Sequence, residues 1–175
     1  MRTTVVQGDI TSQDVDAVVN AANRRMRGGG GVDGAIHAAG GPEVLADCRR
    51  RFPHGLATGD AGWTTAGRMP ARWVIHVVGP NRTAGETDRG LLLSCYRRAL
   101  EVADELGART VAFPLVSAGV YGWSPEDSVD AALEVFRAAD AADAASTSVE
   151  EARFVAFGRS AYEMVRSRVE APGAG

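Results

Sequence analysis

The sequence is poor in cysteine, in aromatic residues and in net charge. Its two cysteines, Cys48 and Cys95, form neither a CxxC motif nor a disulfide framework. That excludes a disulfide-stapled scaffold and suits a reducing cytosol. Each reads as a small buried hydrophobe. No apolar run approaches the roughly 20 residues of a membrane span. The run from Met1 to Gln7 is too short for a signal peptide. The expectation is a soluble, cytoplasmic chain with no membrane attachment. The formal net charge of -3 leaves no basic excess for direct binding along a nucleic-acid backbone. It also gives an anionic ligand no help from the overall field, so local backbone dipoles would have to hold one. His37, His54 and His76 have no Cys, Ser or Asp partner at motif spacing and read as structural or solvated. No metal cluster is legible, and neither a metal nor a cofactor is expected.

What is present is an ordinary globular composition, 45% hydrophobic and 23% charged over 175 residues. This fits one domain over residues 1–170, with 171–175 as a disordered tail. Short apolar runs alternate with helix-like segments. Thr4–Gln7, Ala17–Asn20, Ala61–Thr65, Trp73–Val78, Thr110–Phe113 and Phe154–Phe157 read as strands. Helical segments are expected from Gly34 to Ala39, from Glu43 to Arg51, from Leu91 to Leu106 with Gly107 as its cap, from Pro125 to about Ala138, and from Ala161 to Val169. Residues 81–90 and 140–148 read as loops, the latter alternatively as a fraying helix end. Strands apolar on both sides, alternating with helices, predict an α/β fold with a mostly parallel sheet covered on both faces.

Two loops concentrate the chemistry. Val19-Asn20-Ala21-Ala22-Asn23 runs into Gly28-Gly29-Gly30-Gly31-Val32-Asp33-Gly34, and a strand ending at Phe113 runs into Ser117-Ala118-Gly119-Val120-Tyr121-Gly122. Both follow strands, at the end where open α/β sheets bind ligands. Glycine lets backbone N–H groups lie against an anion, and a helix N-terminus adds a positive dipole end. Neither loop contains lysine or a GxxxxGK[ST] pattern, so an ATPase P-loop is excluded. A GxGxxG dinucleotide site is unsupported, because the first strand–helix unit lacks the motif.

Four blocks, in one order and spacing, together resemble a macrodomain of the MacroD type: Val6-Gln7-Gly8-Asp9-Ile10-Thr11; the Asn20–Asn23 segment with Gly28 to Asp33; Ile75-His76-Val77-Val78-Gly79-Pro80; and Phe113 to Gly122. The resemblance spans almost the whole chain to Phe157. It implies a three-layer α/β/α fold with a mostly parallel mixed central sheet. It also implies binding of ADP-ribose and hydrolysis of ADP-ribosyl esters, as de-ADP-ribosylation of mono-ADP-ribosylated acidic side chains or deacetylation of O-acetyl-ADP-ribose. A reader module that binds ADP-ribose without turning it over is the alternative.

By the same resemblance, Asp9 would accept the adenine amino group beside the N–H of Ile10, and Phe157 would stack on the adenine. Gly29, Gly30, Gly31 and Val32 would hold the diphosphate from one side. Ser117, Ala118, Gly119, Val120, Tyr121 and Gly122 would hold it from the other, with Tyr121 against the distal ribose. Asn23 would position that ribose, and Asp33 would orient or deprotonate a water. Ala118 stands where many members have threonine, which removes a hydroxyl contact but leaves the backbone donors. The residues alone leave other roles open. Asp9 suits an Asx turn or a helix cap, Asn23 a local backbone bond, Asp33 the cap of a helix at Gly34, and Phe157 the core.

Overall fold

The computed structural model describes residues 1–141 and 147–171. A six-stranded sheet has the order β1-β6-β5-β2-β4-β3. Its strands are β1 (Arg2–Gln7), β2 (Ala17–Ala22), β3 (Ala61–Thr65), β4 (Trp73–Val78), β5 (Thr110–Phe113) and β6 (Glu151–Ala156). All neighbours pair in parallel except β3, which runs antiparallel to β4 at the edge. The mostly parallel mixed sheet expected from the sequence is therefore the sheet observed.

Alternate residues of the central strands divide between two cores, as the period of two requires. Val19, Ile75, Val111, Phe113 and Phe154 face a large cluster with helices α3 (Arg89–Leu106), α4 (Pro125–Ala141) and α5 (Arg159–Glu170). Val18, Val74, Ala112 and Val155 face the other side, where Ile36 of α1 (Gly31–Gly40) packs on them. Helix α2 (Pro42–Arg51) joins α1 on that side and buries Cys48 against Ala22 and Val78.

Element boundaries moved where polar residues found partners. β6 begins at Glu151 because Thr4, Arg2 and Arg153 all donate to its carboxylate. It ends at Ala156, so Phe157 lies just beyond the strand. Helix α3 starts two residues before Leu91, capped by Asp88, whose side chain accepts from the N–H of Gly90. The loop before it contains a 3-10 turn at Arg82–Ala84. Helix α4 continues through Asp140 to Ala141. Residues 142–146 of the expected 140–148 loop, and 172–175 of the expected tail, lie outside the described residues.

Candidate functional site

The parallel strands deliver their following loops to one edge of the sheet. There the segments after β2, β4 and β5 enclose a cleft of about 320 Å³. Asn23, Gly29, Gly30, Gly31, Val32 and Asp33 line one wall, and Ser117, Ala118, Val120, Tyr121 and Gly79 line the other. The two glycine-containing loops that are far apart in sequence thus face each other across one cavity.

Asp33 is not a helix cap. The helix starts at Gly31, with Gly30 in the capping position, and Asp33 is its third residue. Glycine at 30 and 31 lets the chain enter the helix three residues earlier than the side-chain pattern suggests, Gly31 with φ +57°. The carboxyl group is consequently carried inward and is 5% exposed. Its Oδ1 accepts from Asn20 Nδ2 at 2.8 Å and lies 3.4 Å from His37 Nε2, one helical turn on. Its Oδ2 points toward Gly29. A Cβ on Gly29 would sit 3.1 Å from that oxygen and 3.3 Å from Asn23 Nδ2. Bare backbone at 29 therefore leaves Asp33 and Asn23 side by side behind the loop.

Asn23 has the local backbone bonds its position allowed. Its Nδ2 donates to the carbonyl of Gly28, and its Oδ1 accepts from the N–H of Arg25, both at 3.1 Å. These bonds fix the amide in one orientation. They leave one N–H and one lone pair of the amide without a partner among the described residues, on a residue that lines the cleft.

Behind Asp33 runs a polar chain that sequence reasoning missed. Asn20 and His76 are register partners on β2 and β4. The same Asn20 amide that reaches Asp33 donates to His76 Nδ1 at 3.1 Å. His76 Nε2 lies 2.8 Å from Thr64 Oγ1, which itself donates to the carbonyl of Thr65. Only one pattern of protons satisfies all of these bonds: a neutral His76 with its proton on Nε2. Burial pushes its pKa down to about 3, the nearby His37 adding to the shift. Two polar residues in otherwise apolar strands were the available signal. The expectation that no histidine has an aspartate partner is corrected at His37, which faces Asp33 at helical i,i+4 spacing. His54 is exposed in a turn.

The second loop is strained and incompletely bonded. Ser117 is buried with φ +64°, and its hydroxyl has no hydrogen-bond partner. Such conformations collect at ligand sites. Gly79 makes room for it, since a Cβ there would fall 2.1 Å from Ser117 Oγ. Gly119 and Gly122, both at φ +80°, shape the turn and do not line the cleft. A Cβ on Gly122 would meet Thr83 Oγ1 at 2.8 Å.

At the far end of the same sheet edge, β1 and β6 finish in register at Gln7 and Ala156. The segments bearing Asp9 and Phe157 therefore emerge together. Asp9 Oδ1 accepts from the N–H and hydroxyl of Thr11 at 2.8 and 2.7 Å and caps the 3-10 turn Ile10–Ser12. Its Oδ2 has no contact of this kind among the described residues. Ile10 packs into the smaller core. Phe157 is 88% exposed, which excludes the core-packing alternative. Among the described residues the exposed large hydrophobics are Phe157 and Val120, the latter 90% exposed, and both belong to the loops of this sheet edge.

The fold and this glycine-walled cleft at the carboxyl ends of the strands agree with comparisons to known proteins. The Macro domain family model matches residues 19–132, and the chain belongs to the macro domain family. A macro domain-containing protein of Streptomyces coelicolor is 56% identical over 170 residues, covering 95% of this chain and 97% of its own. The protein of Pantoea vagans named O-acetyl-ADP-ribose deacetylase 1 is 43% identical, with 92% and 94% covered. The Trypanosoma brucei macrodomain crystallised with ADP-ribose superposes with a TM-score of 0.86 at 36% identity, covering 95% of this chain and 68% of that one. The Oceanobacillus iheyensis macrodomain with ADP gives the same TM-score at 34% identity, with 95% and 88% covered.

Proposed function

We propose that the cleft binds ADP-ribose and hydrolyses esters carried on its distal ribose. The observation that carries this reading is the buried carboxylate of Asp33, held by Asn20 and opening past Gly29 beside Asn23. A binding module needs the glycine walls but not an ionisable group fixed behind them. Related macrodomains were crystallised with ADP and ADP-ribose, and one relative is named as a deacetylase, which supports the same reading.

In this mechanism the backbone donors at the start of α1 and the Ser117–Tyr121 turn hold the diphosphate. Exposed Phe157 and the free oxygen of Asp9 receive the adenine. Asn23 aligns the distal ribose. Asp33 Oδ2 takes a proton from water as that water attacks the ester carbonyl. The acyl–oxygen bond breaks, the proton held by Asp33 passes to the departing ribose oxygen, and the acid leaves as a carboxylate with its remaining proton released to water. The acid is acetate from O-acetyl-ADP-ribose, or an Asp or Glu side chain from a mono-ADP-ribosylated protein. Rigid placement of both reactants is the main contribution expected of the site.

The test is Asp33→Asn, assayed on O-acetyl-ADP-ribose and on glutamate-linked mono-ADP-ribosylated protein. Asparagine keeps an oxygen for the Asn20 amide but is a far poorer base. Single-turnover rates should fall about 10²–10⁴-fold, with calorimetric ADP-ribose affinity within a small factor of wild type. Wild-type rates in the variant would refute the role of Asp33. Binding by the wild-type protein without turnover of either ester would make it a reader.

A further inference from the structure

A second cavity, about 540 Å³, adjoins the cleft and shares Asn23, Gly79 and Tyr121 with it. It is far larger than an acetyl group needs. If the distal ribose lies at Asn23, as the proposed function requires, whatever is esterified to that ribose enters this space.

The remaining lining includes three charged residues among polar and small apolar ones. Arg24, Arg25 and Glu86 all line it, with Asn81 and Thr58 beside them. Arg24 and Glu86 satisfy each other: the Arg24 guanidinium donates to the Glu86 carboxylate and, through Nε, to Thr58 Oγ1 at 2.7 Å. The Asn81 N–H fixes the other Glu86 oxygen at 2.6 Å. Arg25 is different. It is exposed, and its guanidinium has no hydrogen bond or ion pair among the described residues. Its backbone is nevertheless pinned: its N–H donates to Asn23 and its carbonyl accepts from Arg27 Nη1 at 3.1 Å. Arg27 in turn braces the segment through the carbonyls of Met26 and Phe52. A net positive charge is thus presented from a rigid base at the mouth of the cavity, on a chain whose overall charge is -3.

We propose that this cavity is an acceptor subsite that receives an acidic peptide segment, its carboxylates next to the modified residue pairing with Arg25. A peptide fits better than a nucleic acid, because Arg24 is already paired with Glu86 and Arg25 is left, among the described residues, as the one unpaired cation of the lining. It can meet a neighbouring carboxylate, whereas a continuous phosphate backbone needs a row of cations. A peptide can alternate acidic with neutral residues. The subsite would make the enzyme prefer ester-linked ADP-ribose within acidic sequence, while O-acetyl-ADP-ribose would not sense Arg25.

The experiment compares wild type with Arg25→Glu and Arg25→Ala on three substrates. These are O-acetyl-ADP-ribose and two peptides of equal length, each mono-ADP-ribosylated on one glutamate, one flanked by Asp and Glu and the other by Ser and Gly. Wild type should favour the acidic peptide in kcat/KM. Arg25→Glu should lower that value about 3–10-fold at low salt, as loss and reversal of a partly exposed pair allow. Added salt should shrink the difference. Activity on O-acetyl-ADP-ribose and affinity for ADP-ribose should not change, which also shows that the variant is folded. Equal wild-type rates on the two peptides, or equal losses on all three substrates, would overturn the subsite. If ADP-ribose binds but no ester is turned over, the hydrolase reading fails by itself, and affinity of the same proteins for the two peptides decides the subsite instead. Absence of ADP-ribose binding would overturn both.

Discussion

His76 links the stability of this protein to pH. Its ring is buried among Asn20, Thr64 and the core, and the hydrogen bonds on both nitrogens require the neutral form. A histidine whose folded pKa is depressed to about 3 takes up its proton in the unfolded chain near 6.5 but not in the folded one. Its full contribution is present above pH 6.5, and stability falls as the pH drops from there toward 3, by up to about 1.4 kcal/mol per pH unit. Glu151 adds a second window. Hydrogen bonds from Arg153 above all, then from Thr4 and Arg2, hold its carboxyl at about 2 against the ordinary 4.5. That stability is present above 4.5 and is lost as the pH falls toward 2. Urea midpoints should therefore drop between pH 7.5 and pH 5 in wild type and drop less in His76→Gln. Identical slopes in the two proteins would show that the histidine is not the group responsible.

At the scale of elements, helix α1 and the glycine loop are built as one piece. Gly34 lies inside the helix, where alanine is ordinarily better by about 1 kcal/mol. Here an added Cβ would fall 2.6 Å from the carbonyl oxygen of Gly29. That oxygen is backbone and cannot swing aside, so Gly34→Ala must push the loop away from the helix. Calorimetric ADP-ribose affinity should fall at least about tenfold, a loss of about 1.4 kcal/mol, while the far-ultraviolet dichroism stays native. Unchanged affinity would mean that the loop backbone does not contact the ligand. The sequence located this loop and the carboxylate after it. It did not locate where the helix begins, because a glycine start carries no side-chain cap. It also missed Asn20 and His37, whose partners come from a neighbouring strand and from one helical turn away.

For the whole molecule, the cleft joins loops that follow β2, β4 and β5, and the segments after β1 and β6 emerge at the same sheet edge, so a ligand that bridges them should make the fold resist unfolding as a unit. ADP-ribose binds only the folded state in the proposed function. At 100 times Kd it should add about 2.7 kcal/mol, read as a clear rise in Tm. AMP, which lacks the second phosphate and the distal ribose, should give a smaller rise. No shift with saturating ADP-ribose would contradict the proposed function at its root.

The sequence by itself determined the sheet-and-helix alternation, the two glycine loops, Asn23 and Asp33 as the polar residues beside the first of them, and Asp9 after the first strand. These are local signals: apolar runs, glycine clusters and single side chains that follow strand ends. Tertiary structure alone decided where each of these side chains lies and what it touches. Phe157 is equally compatible with core and ligand until the strand ends at Ala156 and leaves its ring in solvent. Asp33 becomes a buried group only when α1 begins at Gly31 and Asn20 meets it from β2. His76 and Asn20 become partners only through the register of β2 on β4. Alternation along a strand tells that two faces exist, but register and layer packing bring together residues distant in sequence, and they depend on the whole chain folding at once.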